Sequence, residues 1–577
     1  MSLPSGVPNV LGDTALDRFD VVLVGSGAGG GAAARVLATN GLKVCILEAG
    51  NNYFVGLDDP APGMPRPLFS NDELKLTSRG LIHQQARVEP RTFRPSAEAG
   101  ARALIGEVNN LPKTVGGAWV HADMQTPRFQ EFDFRLGRDL GGVAGASFVD
   151  WPLSYDELEP YYAAMERLEG VQGEAGADPF ASPRSAPYPM PPGPTMYVSE
   201  VLAEGSLRRG LQPFPYPGAR ASRPYRGRPA CNDCGFCSKY GCPTNAKGSV
   251  ALLRDALLTG NVQVRFNSAA TRLEADSTGR RVVGVHYLDS DGNPAVVRGD
   301  RYMLAASAIE SARLCLLSDP GGPGLGNSSG EVGRNLMFHH QTVSVGVYQE
   351  DFHGERGRSV TAGFTDFRGV PGDPARPLGG IVEFGTNSEK IVDALIYMID
   401  LGFTGATLKN FMRDSPLGSS IGALIMQGED APRSTNRVDL DPDVRDLNGL
   451  PVPRITYEPH AFELEARNVY GPRLIDIHQA AGAQFGFVAP IYEGGATPSS
   501  RHILGTLRMG NDPLTSVTDR FGRFHDVDNL YSADGAPLPT SSGYNPTLTL
   551  QALASRTAGA IVDPLRPEAV IERDSEI

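Results

Sequence analysis

The beginning of the chain carries the pattern that most constrains its fold. An apolar run at 19–24 is typical of a buried parallel strand, and a glycine-rich turn follows it at 25–31. Residues 32–40 have a helical pattern that ends at a glycine, and a second apolar run at 42–47 ends at an acidic residue. This order predicts a βαβ unit with a right-handed connection, the first unit of an α/β fold.

The glycine-rich turn fits the G-x-G-x-x-G pattern of a dinucleotide site. Gly25 permits the tight turn, Gly27 lets the backbone approach a pyrophosphate, and Gly30 lets the helix pack closely on the strand. The first turn of the helix offers free N–H groups to the phosphates. Glu48 is expected to bind ribose hydroxyl groups, which disfavours NADP and leaves NAD and FAD open. A plain strand–turn–helix without a ligand is the alternative.

Charge and cysteine content exclude several classes of protein. Asp and Glu outnumber Lys and Arg by 66 to 53, and a surface with net charge −13 repels nucleic acid. The N-terminus lacks a secretory pattern, and no apolar run reaches the about 18 residues that a spanning helix needs. Of the six cysteines, Cys45 and Cys315 lie in apolar runs and are predicted to be core. We therefore expect a cytoplasmic protein that binds neither nucleic acid nor a membrane.

The rest of the chain alternates between loops and short elements. Stretches rich in Pro and Gly at 51–100 and 176–229 are predicted to be surface loops or an excursion between domains. Alternating residues predict antiparallel strands at 262–266, 281–288 and 294–298. Further predicted elements are strands at 302–306, 421–427 and 530–533, a strand–turn–strand at 436–449, and helices at 308–317 and 547–562.

Three segments near the C-terminus are more specific than the N-terminal glycines. They are His-x-x-Gly-Thr at 502–506, Asn-Leu-Tyr-Ser-Ala-Asp-Gly at 529–535, and Asn-Pro-Thr at 545–547. Together they resemble the glucose–methanol–choline (GMC) oxidoreductase family, a set of FAD enzymes that oxidise alcohols. Within that family they are similar to the pyranose oxidase branch, including the bacterial glucose and C-glycoside 3-oxidases.

Further matches to this family are spread along the chain. Residues 114–121 resemble its second glycine stretch, near the flavin pyrophosphate, and residues 305–310 resemble a strand–helix turn beside the adenosine. The stretches 333–336 and 436–442 are also family-like. The matches run from near residue 20 to near residue 560, so the resemblance covers nearly the whole chain. The resemblance to the family is weak at 51–100, 176–229 and 345–415.

The resemblance implies a fold and a division into domains. The fold class is α/β, with a Rossmann-like FAD-binding domain on a parallel sheet and a substrate domain on a mainly antiparallel sheet, an architecture shared with p-hydroxybenzoate hydroxylase. FAD is the implied cofactor. The FAD-binding domain is expected to be discontinuous, comprising 1–125, 226–340 and 498–577. The substrate domain is expected at 126–225 and 341–497.

The resemblance also implies the two side chains that carry the chemistry. In the family the histidine of His-x-x-Gly-Thr, here His502, faces the flavin, and the His or Asn of the later motif, here Asn545, is its partner. Oxidation of an alcohol removes a hydroxyl proton and a hydride, so a base with a near-neutral pKa is needed, and His suits that role. A neutral amide can hold the same oxygen and orient the C–H bond without competing for the proton.

The implied cofactor site draws on both ends of the chain. His121 lies where the pyranose oxidase branch carries the flavin covalently on a histidine, but Asp123 stands where a hydroxyl residue is expected. A covalent link, a non-covalent contact and no role therefore remain open for His121. The residues expected to contact FAD are Gly25, Gly27, Gly30, Glu48, Gly116, Gly117, His121, Val264, Ala305, Asp534, Gly535, Pro546 and Thr547.

Four cysteines, Cys231, Cys234, Cys237 and Cys242, form a run with metal-like spacing. The run nearly matches a bacterial ferredoxin motif, which has three residues in its last gap, and it could suit zinc. Several members of the flavin family carry similar segments, mostly without a cluster. We expect no metal and a loop of free or paired thiols, with an iron–sulfur centre or a zinc site as the alternatives.

The substrate side of the site is less defined. Residues 421–427 are predicted to form a strand of the antiparallel sheet, and Gln427 resembles a sugar-contacting glutamine of pyranose oxidases. A solvent-facing polar residue is the alternative for Gln427. The polar, glycine-rich segment at 345–372 is predicted to be an active-site loop, with a plain surface loop as the alternative.

These features predict FAD-dependent oxidation of a secondary alcohol of a sugar or glycoside, at C2 or C3 of a pyranose with C3 favoured, to a ketone. His502, Asn545 and Gln427 are expected to contact the substrate. The electrons are expected to pass to O2, giving H2O2, or to a quinone, and the protein to be a monomer or a homo-oligomer. The alternatives are a sugar or gluconate dehydrogenase subunit that feeds a protein partner, and a flavin-binding electron-transfer module. The C-terminal motifs disfavour an NAD enzyme.

Overall fold

The fold is that of a computed structural model, which describes residues 10–12, 18–61, 65–68, 90–104, 111–237, 241–319, 321–353, 357–385, 402–414, 420–489 and 500–573. Parts of the predicted loops at 51–100 and 345–372 lie outside these residues.

The strands are short and rich in β-branched and other apolar residues, the composition that a sheet favours. In chain order they are β1 (Val10–Leu11), β2 (Phe19–Val24), β3 (Val44–Leu47), β4 (Phe54–Val55), β5 (Arg66–Pro67), β6 (Arg91–Arg94), β7 (Arg102–Leu104), β8 (Phe214–Pro215), β9 (Val262–Arg265), β10 (Ala269–Ala275), β11 (Val282–Leu288), β12 (Pro294–Val297), β13 (Gly299–Leu304), β14 (Thr342–Val347), β15 (Val360–Phe364), β16 (Val382–Gly385), β17 (Ile421–Met426), β18 (Arg437–Arg445), β19 (Pro451–Thr456), β20 (Phe485–Val488) and β21 (Leu530–Ser532).

The helices are α1 (Ala28–Thr39), α2 (Leu136–Leu140), α3 (Tyr155–Glu169), α4 (Tyr197–Arg208), α5 (Ala251–Leu258), α6 (Ala308–Leu317), α7 (Gly405–Asp414), α8 (Ala461–Ala480), α9 (Thr547–Val562) and α10 (Pro567–Arg573). Short 3-10 helices lie at Gly117–His121, Glu131–Arg135 and Asp366–Arg368. Helix α3 shows why such segments begin and end where they do: Ser154 and Glu157 cap its start reciprocally, and Gly170 ends it at φ 68°. In the described part of the chain, no helix combines the length and apolarity needed to cross a membrane.

A parallel sheet of strand order β1-β9-β3-β2-β13-β21 is built around the N-terminal unit. The pairs from β9 to β21 are parallel, and only β1 is antiparallel to its neighbour. Helix α1 connects β2 to β3 and packs against α5 and α9. The predicted βαβ unit, the strand at 302–306 and the strand at 530–533 are therefore confirmed.

Successive residues of β2 contribute to two different hydrophobic cores. Val21 and Leu23 pack with the side of the sheet that α1 covers. The intervening Val22 packs on the other side with Cys45 and Cys315, both fully buried. Because neighbouring residues of a strand point to opposite faces, this sheet is covered on both sides, as parallel sheets are. The prediction that Cys45 and Cys315 are core residues is confirmed.

The predicted antiparallel strand at 262–266 is antiparallel only to the two-residue β1, and its longer pairing is parallel. Strand β9 runs parallel to β3, with Val262 opposite Val44. Its alternation has a different cause, because the polar residues of β9 face a second layer of protein rather than solvent. Arg265, for example, donates from Nη1 to the hydroxyl of Tyr287 on β11 at 2.9 Å. The antiparallel sheet is instead β10-β11-β12, which includes the other two predicted strands.

The second half of the fold is mainly antiparallel. A six-stranded sheet of order β20-β14-β17-β16-β15-β8 is antiparallel throughout, and a four-stranded sheet has the order β18-β19-β6-β7. The predicted strands at 421–427 and 436–449 are confirmed within them. The predicted loop at 345–372 is shorter than expected, because its first and later parts belong to β14 and β15. Between these strands, the described residues 348–353 and 357–359 belong to no helix or strand.

Candidate active site

A cavity of about 820 Å³ is lined by residues of both large sheets. Gly25 and Ala305 line it directly after the carboxyl ends of β2 and β13. Ala423 and Ile425, two residues apart on one face of β17, line it from the antiparallel sheet. Ligands of parallel α/β sheets bind at the carboxyl ends of the strands, and cavities of about 300–1,000 Å³ are typical of ligand sites.

The three glycines of the N-terminal turn have the roles expected for a dinucleotide site. Gly25 has φ +102°, and a Cβ there would lie 2.3 Å from the carbonyl oxygen of Ala305. A Cβ on Gly30 would lie 2.1 Å from the carbonyl oxygen of Gly25, so this glycine serves close packing. A Cβ on Gly27 would have its nearest neighbour at 3.9 Å, and no side chain caps α1 there. Open space and uncapped N–H groups therefore fit a diphosphate.

Glu48 joins the first glycine stretch to the second. Its Oε2 accepts hydrogen bonds from the backbone N–H of Ser26 at 3.0 Å and from the Ser26 hydroxyl at 2.6 Å, and its Oε1 accepts from the N–H of Gly50 at 2.8 Å. The Ser26 hydroxyl in turn accepts from the N–H of Gly116 at 3.0 Å. Burial raises the pKa of Glu48, and these hydrogen bonds oppose that rise. Glu48 lines the cavity together with Gly25 and Gly27.

Most of the other residues predicted to contact the cofactor line the same cavity. Asp534 lines it while its Oδ2 accepts a hydrogen bond from the Ser311 hydroxyl at 2.6 Å, and burial raises its pKa to about 6. Gly30, Gly116 and Val264 do not line the cavity in the described structure: Gly30 and Gly116 serve packing, and Val264 is buried inside β9. The predicted residues that do line it are Gly25, Gly27, Glu48, Gly117, His121, Ala305, Asp534, Gly535, Pro546 and Thr547.

His502 lies in the cavity wall and is paired with a second histidine. The Nδ1 atoms of His502 and His339 are 2.7 Å apart, and Nε2 of His339 lies 3.2 Å from the carbonyl oxygen of Ser541. Burial lowers the pKa of His339 to about 4 and lowers that of His502 well below 6.5. Both rings are therefore neutral near pH 7.

These contacts determine which nitrogen of His502 is protonated. A carbonyl oxygen only accepts hydrogen bonds, so the neutral His339 ring carries its proton on Nε2 and accepts on Nδ1. His502 must then donate from Nδ1, which leaves the lone pair on its Nε2. Among the described residues, that Nε2 has no hydrogen-bond partner. His502 is thus poised to accept a proton from a ligand in the cavity.

The backbone around His339 is fixed by a buried carboxylate. Asp430 accepts hydrogen bonds from the N–H groups of Phe338 and His340, the residues on either side, both at 2.7 Å. Glu429, which precedes Asp430 in the chain, accepts a hydrogen bond from the Ser541 hydroxyl at 3.1 Å. The histidine and the carbonyl that it contacts are therefore held by the same short segment.

Asn545 and Gln427 are joined through a buried acid. Oε1 of Glu383 accepts from Nδ2 of Asn545 at 2.8 Å and from Nε2 of Gln427 at 3.1 Å. The Tyr216 hydroxyl donates to Oδ1 of Asn545 at 2.6 Å, and Nε2 of Gln341 donates to Oε1 of Gln427 at 3.0 Å. These contacts fix the orientation of both amides. Gln427 is 2% exposed, so the alternative of a solvent-facing residue is wrong.

His121 also lines the cavity, at the end of the 3-10 helix Gly117–His121. Lys247, itself fully buried, holds this segment by donating to the carbonyl oxygens of Val120 at 2.9 Å and Ala122 at 2.5 Å. It also donates to the carbonyl oxygen of Cys237 at 3.0 Å. The cysteine run therefore braces the segment that carries His121.

The four cysteines of the run do not line the cavity. Cys231, Cys234, Cys237 and Cys242 are free thiols, and no disulfide joins them. Within the described residues, no group of three or more His, Cys, Asp or Glu side chains is placed to hold a metal ion. The surroundings of these thiols are positively charged, because Arg220, Arg358 and Lys247 are buried beside them.

Four residues of the site were not singled out by the sequence: His339, Glu383, Tyr216 and Gln341. Two of them do leave a local signal. His339 follows the family-like stretch 333–336 by three positions, and Glu383 is an acidic residue inside the apolar run 381–384. An acidic side chain in such a run is rarely buried unless it has a hydrogen-bond or ionic partner.

Comparisons with known proteins agree with the geometry. Sequence profiles described as GMC oxidoreductase match residues 153–341 and 432–554. The fructose dehydrogenase large subunit of Gluconobacter japonicus is 30% identical, with 95% of this chain and 98% of that protein covered. The 6'''-hydroxyparomomycin C oxidase of Streptomyces lividus is 31% identical, with 95% and 92% covered. A solved Aspergillus oryzae formate oxidase variant studied for FAD modification has a similar fold, with a TM-score of 0.62, 16% identity, and 96% and 100% covered.

Proposed function

Because the chain belongs to the GMC oxidoreductase family, we propose that it oxidises a secondary alcohol of a sugar or glycoside to a ketone. FAD is its cofactor. The observation that carries the proposal is the pairing of His502 with His339, since it leaves a neutral base in the cavity that also contains the glycine-rich site. A protein that only carried electrons would need no such base.

The cofactor fits the residues at one end of the cavity. Gly27 and the uncapped start of α1 offer space and donors for the diphosphate, and Glu48 offers a carboxylate for the ribose. When bound, FAD supplies the acceptor for the hydride that leaves the carbinol carbon. His502 and Asn545 line the same cavity, so the substrate is expected between these two side chains and the cofactor.

Two groups of the chain act on the substrate hydroxyl. Nε2 of His502 accepts the hydroxyl proton as the C–H bond breaks and the C=O bond forms. The amide of Asn545, whose orientation Glu383 and Tyr216 fix, holds the same oxygen so that the C–H bond points toward the cofactor. Gln427 extends this polar wall toward the rest of the sugar. Because burial lowers the pKa of His502, this base is neutral and can accept the proton.

The names of the two relatives, a fructose dehydrogenase and a hydroxyparomomycin oxidase, support a sugar or glycoside as the substrate. We favour the pyranose oxidase branch and oxidation at C3 over C2, because the segment at 502–510 resembles that branch. O2 or a quinone is the proposed electron acceptor. We also propose a monomer or homo-oligomer divided into an FAD-binding and a substrate domain, and a cytoplasmic location, which the free cysteines support.

A panel of sugars and glycosides mixed anaerobically with the FAD-loaded protein tests this proposal. We expect at least one pyranose to bleach the flavin absorbance and to yield a keto sugar, with peroxide formed when air is admitted. An electron-transfer module would show no bleaching with any sugar. Acid precipitation of the same sample tests a covalent link through His121, because a covalently held flavin stays in the yellow pellet.

A second candidate is a dehydrogenase subunit that passes its electrons to a protein partner. The observation that favours it is the charge at the cysteine loop, where Arg220 is buried and, among described residues, its Nε and Nη1 have no partner. An iron–sulfur centre on the thiols would supply the missing negative charge. Against it, the described sulfurs are not gathered into a metal site.

Iron analysis and acceptor preference separate the two candidates. The oxidase predicts an iron-free protein in which O2 or a quinone reoxidises the flavin directly. The subunit predicts stoichiometric iron and slow reoxidation until a partner protein or a redox dye is added.

A further inference from the structure

We propose that Glu383 is an anionic subsite that selects substrates bearing an ammonium group, so that the sugar oxidised is an amino sugar. This inference rests on the proposed oxidation of a sugar alcohol and names the substrate class more closely. It is carried by a buried carboxylate in the cavity, by a second acid beside it, and by the lack of an ion pair between Glu383 and any cation of the described residues.

Among the described residues, only one of the two carboxylate oxygens of Glu383 accepts hydrogen bonds. Its side chain is 5% exposed and lines the cavity from β16. The donors Asn545, Gln427 and Tyr216 all reach Oε1, the last at 3.5 Å. Within the described residues, Oε2 accepts no hydrogen bond at all. Burial and the nearby charge of Asp123 raise the pKa of Glu383 to about 7, while the amide hydrogen bonds oppose that rise.

Asp123 adds a second unpaired acid to the same cavity wall. Its Oδ1 is buried, and among the described residues it has no hydrogen-bond partner. Neither acid forms an ion pair with a described Lys, Arg or His. Two arginines that line the cavity pair with a different acid, Glu310: Arg91 at 2.7 Å and Arg313 at 3.3 Å.

A buried carboxylate without a counter-ion is costly, and the cost falls when a cation binds beside it. A ligand ammonium provides both the charge and the N–H donors that Oε2 lacks. A neutral hydroxyl would supply a donor to Oε2 but no positive charge beside Glu383, whereas the charge of Asp123 is already opposed by the buried Lys247. The charge balance of the cavity therefore favours a cationic ligand.

The hydrogen bonds of Glu383 also place the ammonium near the reacting carbon. Asn545, which holds the substrate oxygen in the proposed reaction, donates to the same carboxylate at 2.8 Å. A ligand ammonium at Glu383 would therefore lie on the same side of the cavity as the oxygen that Asn545 holds. Because His502 is neutral, no positive charge of the base opposes the ammonium.

The test compares matched sugars in the reductive half-reaction. D-glucosamine and D-galactosamine are each paired with the parent hexose and with the N-acetyl derivative, which keeps the nitrogen but loses the charge. Rapid mixing without oxygen gives the dissociation constant and the limiting rate of flavin reduction separately. We expect the ratio of kcat/KM, amino sugar to parent sugar, to be at least about tenfold, mainly through the dissociation constant.

Variants assign the preference to one residue. Glu383→Gln keeps the size and an acceptor oxygen for Asn545 and Gln427, and it should bring the ratio close to one. Glu200→Gln removes an equal charge from the exposed face of α4 and should leave the ratio as in the wild type. The flavin absorbance of each variant reports whether it still holds FAD.

The outcomes separate this inference from the proposed function. If parent and N-acetyl sugars reduce the flavin as well as the amino sugars do, the ammonium subsite is wrong while the sugar oxidation stands. If Glu383→Gln slows both classes equally, the residue only positions Asn545 and Gln427, and the inference again fails. If no sugar of either class reduces the flavin, the proposed function itself fails. The comparison of amino, parent and N-acetyl sugars in the wild-type protein needs no variant, so it tests the ammonium subsite even if Glu383→Gln does not fold.

Discussion

At the scale of single residues, the pairing of two buried imidazoles sets the chemistry of the cavity. A carboxylate partner favours the imidazolium form of a histidine, whereas a neutral imidazole partner does not. His339 therefore fixes which nitrogen of His502 carries the proton without adding charge to the ring. The result is a neutral base of defined tautomer, and its lone pair is available to the ligand.

Replacing His339 tests this arrangement. His339→Leu removes the acceptor that holds Nδ1–H of His502, so the ring can adopt either tautomer and rotate. We expect the limiting rate of flavin reduction to fall about ten- to a hundredfold, while sugar and FAD still bind. His339→Asn is the matched control, because its side-chain oxygen can accept the same N–H and should recover most of the rate. Equal rates in the wild type and the Leu variant would show that His339 does not position His502.

The pH dependence of reduction follows from the pKa of the base. Burial lowers the pKa of His502 below 6.5, and His339 lowers it further. A base must be unprotonated to act, so a lowered pKa moves the loss of activity to more acidic pH. We therefore expect the acid limb of the wild-type reduction rate to lie below pH 6.5. A rate that is half-maximal above that pH would contradict a neutral, buried His502.

At the scale of elements, the cofactor end of the site depends on how closely α1 approaches the sheet. Three successive glycines, Gly29, Gly30 and Gly31, open this helix, but they have different surroundings. A Cβ on Gly29 would lie 1.8 Å from the carbonyl oxygen of Ala533, whereas a Cβ on Gly31 would have its nearest neighbour at 3.6 Å. Backbone atoms cannot yield as the end of a side chain can, so only the first contact is prohibitive.

Alanine substitutions at these two positions make a matched pair. Gly29→Ala should force α1 away from the sheet, and we expect most of the FAD to be lost on purification. Gly31→Ala, two residues later in the same helix, should retain full FAD occupancy. The ratio of flavin to protein absorbance measures both. Equal occupancy in the two variants would mean that this approach does not build the cofactor site.

Local patterns identified most elements, because the forces that form them act over a few residues. The apolar run at 19–24, the glycine turn and the helix at 547–562 appear in the structure close to their predicted bounds. The strand at 262–266 is antiparallel to β1 but parallel to β3, a pairing that alternation could not predict because it reports which faces differ and not which neighbour lies beside a strand. Pairing is decided by tertiary contacts that no window of sequence contains.

The same limit applies to the site. His502 and Asn545 were found because they lie in motifs that resemble a family. His339 reaches His502 across 163 residues, and Glu383 reaches Asn545 across 162, so neither contact leaves a spacing that could be read locally. A buried acid or histidine acts through the residues that fold places around it, and these are known only from the structure.

At the scale of the whole molecule, a buried ionic cluster joins distant segments behind the site. Arg368 donates to Asp133 and to Glu429, the latter at 2.6 Å, and all three side chains are almost fully buried. Asp133 and Glu429 also accept hydrogen bonds from Ser542, in the loop that leads to Asn545. The position of the active-site loop is therefore tied to the stability of this cluster.

Removing the central charge tests the contribution of the cluster. Arg368→Met leaves two buried carboxylates without a counter-ion, and we expect the free energy of unfolding to fall by about 3–5 kcal/mol. Arg376→Met removes an arginine of the same type from an exposed pair with Asp373 and should leave stability nearly unchanged. Denaturant titration of both variants gives the comparison. A similar small loss in both would show that the buried cluster is not what holds this loop.

The central claim is that His502 takes the proton of a sugar hydroxyl, and single-turnover reduction of the flavin tests it most directly. The FAD-loaded wild type and His502→Ala are mixed without oxygen with the sugar that bleaches the wild type fastest. We expect the variant to keep its flavin spectrum and to bind the sugar, while its limiting reduction rate falls at least about a hundredfold. Undiminished reduction in His502→Ala would show that His502 does not take the proton.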